Sequence, residues 1–178
     1  GLAEILLATS REQIDFIIKG GNSRIIAGSY DDFINANGYI DGGAGDDAIY
    51  GFGTLIGGIG DDTIAGYGSV YGGSGDDIIS TSINYKFPDY NTFGDYDGGD
   101  GIDSFSTNLY YANISVNFDL AVAMPQVLGA ATIQNFERVS IVGGNQADTM
   151  AGGEYGDSLR GSFGADILYG RGGDDYLE

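Results

Sequence analysis

Apolar residues recur along this chain at a fixed phase, and that phase predicts short strands wound into coils. In the stretches 42–50, 57–65 and 72–80, isoleucine occupies the eighth of nine positions, and the stretches begin 15 residues apart. Six-residue pieces between them, such as GFGTLI at 51–56, each supply another apolar residue. Stacked coils of this kind bury two apolar columns against each other and form a thin continuous core.

The two predicted columns extend over most of the chain. The first consists of Ile34, Ile49, Ile64, Ile79, Phe105, Met150, Leu159, Leu168 and Leu177, and the facing one of Ile25, Ile40, Leu55 and Val70. The front coils therefore contain nine plus six residues. In the rear, nine-residue units follow one another directly from Gly143 to Glu178, which makes coils of 18 residues. We predict an all-β fold, a parallel β-roll or β-solenoid.

The same pattern divides the chain into regions. We predict an N-terminal cap at 1–20, a β-roll of 15-residue coils at 21–80, an aromatic-rich insert at 81–97, and more β-roll at 98–178, with a strand insert at 107–142 and tandem units at 143–178. The unit GGDGIDSFS at 98–106 needs a stacking partner, and 72–80 is the nearest candidate. We therefore expect one continuous roll.

Composition adds a strong negative charge to this picture. The chain of 178 residues has 33 glycines and 26 acidic against 7 basic side chains, a formal net charge of −19. This charge disfavours binding to nucleic acid and to anionic membranes, and no apolar run is long enough to insert into a bilayer as a helix. A chain this acidic resists compaction unless cations neutralise it. Because it has no histidine and no cysteine, an imidazole or thiolate base and a disulfide framework are excluded, and we expect no catalysis in this chain.

The nine-residue unit carries the groups that a hard cation needs. Glycine at positions 1, 2 and 4 is expected to adopt positive φ and to turn carbonyl oxygens inward, and aspartate at position 6 supplies a carboxylate. Ca²⁺ takes 6–8 oxygen ligands at about 2.3–2.6 Å, so we predict several calcium ions. The candidate site residues are Asp32; Gly42, Gly43, Ala44, Gly45 and Asp47; Gly57, Gly58, Ile59, Gly60 and Asp62; Gly72, Gly73, Ser74, Gly75 and Asp77; Gly98, Gly99, Gly101 and Asp103; Asp148 and Asp157; Gly161, Phe163, Gly164 and Asp166; and Gly170, Gly172 and Asp175.

The units match the pattern G-G-x-G-x-D-x-U-x, and on these residues the chain resembles the RTX family of hemolysin-type calcium-binding repeats. The resemblance implies a secreted protein of a Gram-negative bacterium, exported by a type I system. It also implies that each ion lies between the loops of successive coils. Residues 98–178, including NFERV at 135–139, are similar to the C-terminal parts of serralysins and to alginate-epimerase R-modules as well.

Shared ions require specific loops to stack. The resemblance implies one ion between 42–47 and 57–62 and another between 57–62 and 72–77. In the rear it implies that alternate units stack, which pairs loop 143–148 with 161–166 and loop 152–157 with 170–175.

Three loops depart from the pattern, and we expect weak or empty sites there. Loop 27–32 has Ser29 and Tyr30 where flexible glycine would help. Loop 143–148 lacks glycine at position 4, and loop 152–157 has Tyr155 at that position.

Two functions remain open on the sequence alone. The first is a module of a larger protein that folds on calcium after export and stabilises the neighbouring domains. The second is an adhesive or polysaccharide-binding module of a surface protein, in which calcium is only structural. The second rests on the insert 81–97, whose aromatic residues could form a sugar-binding platform; they are Tyr85, Phe87, Tyr90, Phe93 and Tyr96.

Overall fold

The computed structural model describes residues 3–6, 15–17, 23–82, 94–122, 125–128 and 131–178, and these residues form strands and turns without a helix. The strands are β1 (Ala3–Leu6), β2 (Asp15–Ile17), β3 (Ser23–Ile26), β4 (Phe33–Asn35), β5 (Gly38–Ala44), β6 (Ala48–Ile59), β7 (Thr63–Ser74), β8 (Ile78–Ser82), β9 (Asp95–Asp100), β10 (Ser104–Asn108), β11 (Asn117–Asp119), β12 (Gln126–Leu128), β13 (Ala131–Gln134), β14 (Arg138–Val142), β15 (Thr149–Ala151), β16 (Ser158–Arg160), β17 (Ile167–Tyr169) and β18 (Tyr176–Leu177).

The strands stack as a parallel β-roll, which confirms the predicted fold. All described strand pairs are parallel except β12 with β13. The strands β6 and β7 are long enough to follow the chain from one side of the roll to the other, and they pair in a register of 15 residues: Ile49 lies beside Ile64, and Leu55 beside Val70. Fifteen strands belong to one sheet, and β11, β15 and β17 form a second one in the rear.

The two apolar columns face each other in the interior. Every predicted member up to Leu159 is buried, with exposed fractions of 0–1%. Tyr96 and Ile133 extend the facing column beyond Val70, and the buried hydroxyl of Tyr96 is 3.2 Å from the Thr81 hydroxyl. Tyr96 therefore belongs to the core, which corrects its assignment to the aromatic platform.

Leu177 has the inward phase that was predicted, but it is not buried. Leu177 pairs with Leu159 on one side, but no strand in the described ranges pairs with its other side, and it is 46% exposed. Leu168, in the coil before it, is partly buried against the core.

The front and rear tracts are stacked on each other. Strand β10 lies between β8 and β14, so that Phe105 is in register with Ile79 on one side and Val139 on the other. Strand β9 similarly lies between β7 and β13. The unit 98–106 is therefore in place on 72–80, as predicted. In the rear, the pairs β15–β17 and β16–β18 confirm that alternate nine-residue units stack.

The ends of two predicted regions contribute strands to the roll. The backbones of β1 and β2 pair with β3 and β4, which adds one coil within the predicted cap. The insert 81–97 begins in β8 and ends in β9. Its residues 83–93, with four of the five aromatic residues of the proposed platform, lie outside the described residues.

Replacing a core isoleucine tests the interior column. At saturating calcium, Ile79→Ala should lower the free energy of unfolding by about 2–5 kcal/mol, because Ile79 is fully buried and cannot be replaced without a cavity. The neighbouring Ile78→Ala is the matched control, since Ile78 is 51% exposed and should change stability by about 0.5 kcal/mol or less. Urea denaturation measures both; equal losses would contradict the column.

Candidate metal centres

Glycine is required at positions 2 and 4 of the well-formed loops by backbone conformation. Gly43 and Gly45 have φ of 100° and 114°, and the corresponding glycines of the next three loops have φ between 110° and 149°. Residues with a side chain rarely adopt these angles. In the rear, Ser162 and Gly164, and likewise Arg171 and Gly173, show positive φ at the same positions.

Position 1 needs glycine for a different reason, which corrects our expectation that it would have positive φ. A methyl group added at Gly57 would lie 2.1 Å from Oδ2 of Asp62 and 2.7 Å from the carbonyl oxygen of Gly72. The space beside this glycine is therefore lined by a carboxylate oxygen of its own loop and a carbonyl oxygen of the next coil. The same pair of oxygens recurs in the other three loops, at Gly42 with Asp47 and Gly57, at Gly72 with Asp77 and Gly98, and at Gly98 with Asp103 and Asn135.

The position-6 aspartates are held in a ladder by hydrogen bonds between coils. The backbone N–H of Asp47 donates to Oδ1 of Asp62, and that of Asp62 donates to Oδ1 of Asp77, each at 2.8 Å. The ladder begins at the N–H of Asp32, which donates to Asp47, and continues from Asp77 to Asp103. Oδ1 is therefore hydrogen-bonded to the neighbouring coil, and this bond fixes the position of Oδ2.

The other oxygen of each of these carboxylates has no hydrogen bond. Oδ2 of Asp47, Asp62, Asp77 and Asp103 is buried and has no partner, and the four residues are exposed by 2% or less. A buried carboxylate oxygen without a partner is costly, and a bound cation removes that cost. The arrangement fits Ca²⁺, whose ligands are oxygens only.

Most of the calcium shell would come from the backbone. The described residues contain no group of three or more acidic, histidine or cysteine side chains placed to hold a metal. Of the predicted position-3 residues, Ile59 and Ser74 use their carbonyls to accept hydrogen bonds from the N–H groups of Gly45 and Gly60. A carbonyl oxygen has two lone pairs, so this bond leaves one for a metal.

In the three degenerate loops, 27–32, 143–148 and 152–157, the position-6 Oδ2 is hydrogen-bonded within its own loop. Oδ2 of Asp148 accepts a hydrogen bond from the N–H of Gly144 at 3.0 Å, and Oδ2 of Asp157 accepts one from Gly153 at 2.7 Å. Oδ2 of Asp32 lies 3.3 Å from the N–H of Gly28. None of these loops has positive φ at position 2 or 4, so the position-2 amide faces the carboxylate and takes the place of a cation.

The last two loops keep the turn geometry but lie in a different environment. Asp166 and Asp175 accept hydrogen bonds from the N–H groups of Asp148 and Asp157 through Oδ1, and both are partly exposed. Arg171 reaches across this end of the roll, donating to both oxygens of Asp119 and to the carbonyl of Gly152. This contact lowers the pKa of Asp119 and supplies a fixed positive charge beside the rear loops.

Burial makes the four unpartnered carboxyl groups weak acids in the metal-free chain. Burial first, and neighbouring carboxylates second, outweigh the backbone hydrogen bond that each carboxylate accepts. The net effect raises the pKa of Asp62 and Asp77 to about 7 and that of Asp47 and Asp103 to about 6. At neutral pH the ladder therefore carries charges that the folded chain disfavours unless a cation is present.

Two kinds of residue in this region were not predicted from the sequence. The exposed position-5 aspartates Asp46 and Asp61 accept backbone N–H groups of the next coil at 2.8–2.9 Å, and so form an outer ladder. The doubled Asp-Asp of each unit was the available signal. Asn135 and Glu137 also contact loop 98–103, and they belong to the NFERV stretch, to which no ligand role was assigned.

Comparison with protein-family models matches the RTX calcium-binding nonapeptide repeat, in four copies, over residues 19–38, 39–51 and 141–177. No curated protein and no solved structure matches the chain. The similarity to serralysins and alginate-epimerase modules is not confirmed.

Replacing one aspartate of each type should distinguish a metal ligand from an aspartate whose Oδ2 is hydrogen-bonded within its own loop. Asp62→Asn puts an amide N–H₂ where the cation belongs and should remove at least one bound calcium ion. Asp148→Asn should leave the calcium count unchanged and lower stability at saturating calcium by about 1–3 kcal/mol, through the lost hydrogen bond from Gly144. Calcium counting and urea denaturation measure the two effects. Equal losses of calcium would show that the two loops do not differ.

Without calcium, the roll should be more stable in mild acid than at neutral pH. The four carboxyl groups bind protons more tightly in the folded chain, where the pKa is about 6 to 7, than at their ordinary value of 3.8. Their stabilising effect is therefore present below about pH 4 and is lost as pH rises through about 7. The β signal in circular dichroism, recorded in EDTA at about pH 5 and about pH 8, measures the difference. Greater stability at the higher pH would contradict the assigned burial.

Proposed function

The chain carries RTX calcium-binding nonapeptide repeats in a parallel β-roll, and on that premise we propose that it is a non-catalytic module that folds on binding calcium. We further propose that it belongs to a larger secreted protein, which it stabilises after export. The observation that carries the proposal is the set of four buried aspartate oxygens without a hydrogen-bond partner.

The energetics favour coupling between metal and fold. In the unfolded chain, these carboxylates are hydrated and separated. In the roll, they stack in a ladder on consecutive coils, in a chain of net charge −19. Because the site is assembled only when the coils stack, the free energy of calcium binding becomes free energy of folding.

Three ion positions follow from the stacked loops. They lie between 42–47 and 57–62, between 57–62 and 72–77, and between 72–77 and 98–103. In each, a position-6 Oδ2 and the next coil's position-1 carbonyl would be ligands. Both line the space beside one glycine, and here, unlike beside Gly143 and Gly152, the Oδ2 has no hydrogen bond. Calcium supplies positive charge and binds oxygens from two coils, which holds neighbouring coils together.

The role outside the cell is supported by the family and by the affinity expected of such sites. Extracellular calcium modules bind with dissociation constants of about 10⁻⁴–10⁻³ M, so a module of this type stays unloaded at low calcium and becomes loaded where calcium is abundant. None of the described segments is a helix long and apolar enough to cross a membrane.

Calcium should create the fold. In EDTA at neutral pH, circular dichroism should show a largely disordered chain that becomes β-structured when millimolar calcium is added. Magnesium should substitute poorly, because it demands tight octahedral geometry and gives up water reluctantly. A complete β spectrum in EDTA at neutral pH would refute the proposal.

Two sets of variants remove the same charge from different positions. The Asp47→Asn, Asp62→Asn, Asp77→Asn triple variant should require far more calcium to fold or fail to fold. The Asp46→Asn, Asp61→Asn, Asp76→Asn triple variant is the control, because these exposed carboxylates only accept backbone N–H groups, which asparagine can still do. Equal calcium midpoints for the two would mean that total charge, and not ligation, governs folding.

A further inference from the structure

The stack of well-formed loops ends on a segment that is not a nine-residue repeat. Strand β9 pairs with β13, and β10 pairs with β14. Between the paired strands, loop 98–103 therefore lies against the short connection Asn135–Glu137. This connection has three residues, whereas each loop stacked before it has six.

This connection presents the same oxygens as a further loop would. A methyl group at Gly98 would lie 2.0 Å from the carbonyl oxygen of Asn135 and 2.7 Å from Oδ2 of Asp103. At Gly72, the corresponding distances are 2.3 Å to the carbonyl oxygen of Gly98 and 2.2 Å to Oδ2 of Asp77. The carbonyl of Asn135 thus stands where the next coil's position-1 carbonyl would be.

Glu137 takes over the position of the next aspartate in the ladder. Its Oε2 accepts the N–H of Asp103 at 2.8 Å, as Oδ1 of Asp103 accepts the N–H of Asp77. In return, the carbonyl of Asp103 accepts the N–H groups of Glu137 and Arg138 at 3.1 and 3.0 Å. The extra methylene of glutamate lets its carboxylate reach Asp103 from the shorter connection.

The side chains of Asn135 and Gln134 hold the Asn135 carbonyl in position. Asn135 has φ of 56°, and its Nδ2 donates to Oδ1 of Asp97 at 2.7 Å, while Nε2 of Gln134 donates to Oδ2 of Asp97 at 2.6 Å. Both oxygens of Asp97 are thereby bonded to this connection. The connection is anchored to the strand that leads into loop 98–103.

Asp103 carries a buried oxygen without a hydrogen bond that faces the Asn135 carbonyl. It is fully buried, and its Oδ2 has no hydrogen-bond partner in a position that also faces the Asn135 carbonyl. We propose that a fourth calcium ion binds here, ligated by Asp103 Oδ2 and the Asn135 carbonyl, with Glu137 as the positioning residue that supplies a second negative charge. The proposal rests on the proposed function, since it extends the same ion column by one site.

The variant Glu137→Gln isolates this site. It keeps an oxygen that can accept the Asp103 N–H and removes only the negative charge, on the far side of loop 98–103 from the other three ions. At the calcium concentration that just saturates the unmodified protein, this variant should hold one ion fewer, and that ion should bind about tenfold or more weakly. Glu154→Gln is the matched control, because it removes the same charge from a loop whose aspartate is already satisfied.

Calcium counting after gel filtration and calorimetric titration give the result. If Glu137→Gln and Glu154→Gln match the unmodified protein in count and affinity, the fourth site is refuted while the other three stand. An unmodified protein that binds no calcium would refute the proposed function itself. Should Glu137→Gln fail to fold, a crystal structure of the unmodified protein with calcium decides: an ion must contact both Asp103 Oδ2 and the Asn135 carbonyl, and ions at the other loops without one here overturn the proposal.

Discussion

The β-roll depends on the position-6 aspartate, whose two oxygens have different environments. Oδ1 accepts a backbone N–H of the neighbouring coil, and this bond holds the carboxylate inside the turn. Oδ2 is then buried beside the position-1 glycine with no hydrogen bond. A buried, unpaired carboxylate opposes folding, so burial of the apolar columns and neutralisation of the ladder have to occur together. A cation that binds between coils meets both requirements.

The chain uses two solutions to the same problem. Where positions 2 and 4 have positive φ, as at Gly58 and Gly60, Oδ2 is left for a cation. Where the loop lacks that geometry, as at Asp148 and Asp157, an amide of the same loop binds Oδ2. The conformation of the residues at positions 2 and 4 is therefore linked to whether Oδ2 has a hydrogen-bond partner in its own loop. In the central coils, Oδ2 is buried without a hydrogen bond, whereas in the coil at 27–32 and in the first two units of the rear tract an amide of the same loop bonds to it.

The repeat made most of this fold predictable. Stacked coils place each residue between the equivalent residues of the coils on either side, so the surroundings predicted for one unit hold for the others. The apolar phase correctly identified Ile49, Leu55 and Phe105 as core. The departures from the repeat also marked the degenerate loops, whose hydrogen bonding does differ in the structure; that their calcium sites are weak or empty stays a prediction. For position-1 glycine, the predicted reason, positive φ, was wrong. The repeat pattern shows that glycine recurs in phase without showing whether the backbone conformation or a neighbouring side chain requires it.

The sequence by itself determined the coil length, the two columns and the phase of the aspartates, since these follow from local periodicity. Only the tertiary structure showed how the stack of loops ends. Glu137 bonds to Asp103 across 34 residues of sequence, and Tyr96 enters the core beside Val70 across an insert without repeats. Neither contact has a periodic signal, because each is made once, between segments brought together by the stacking of all the others.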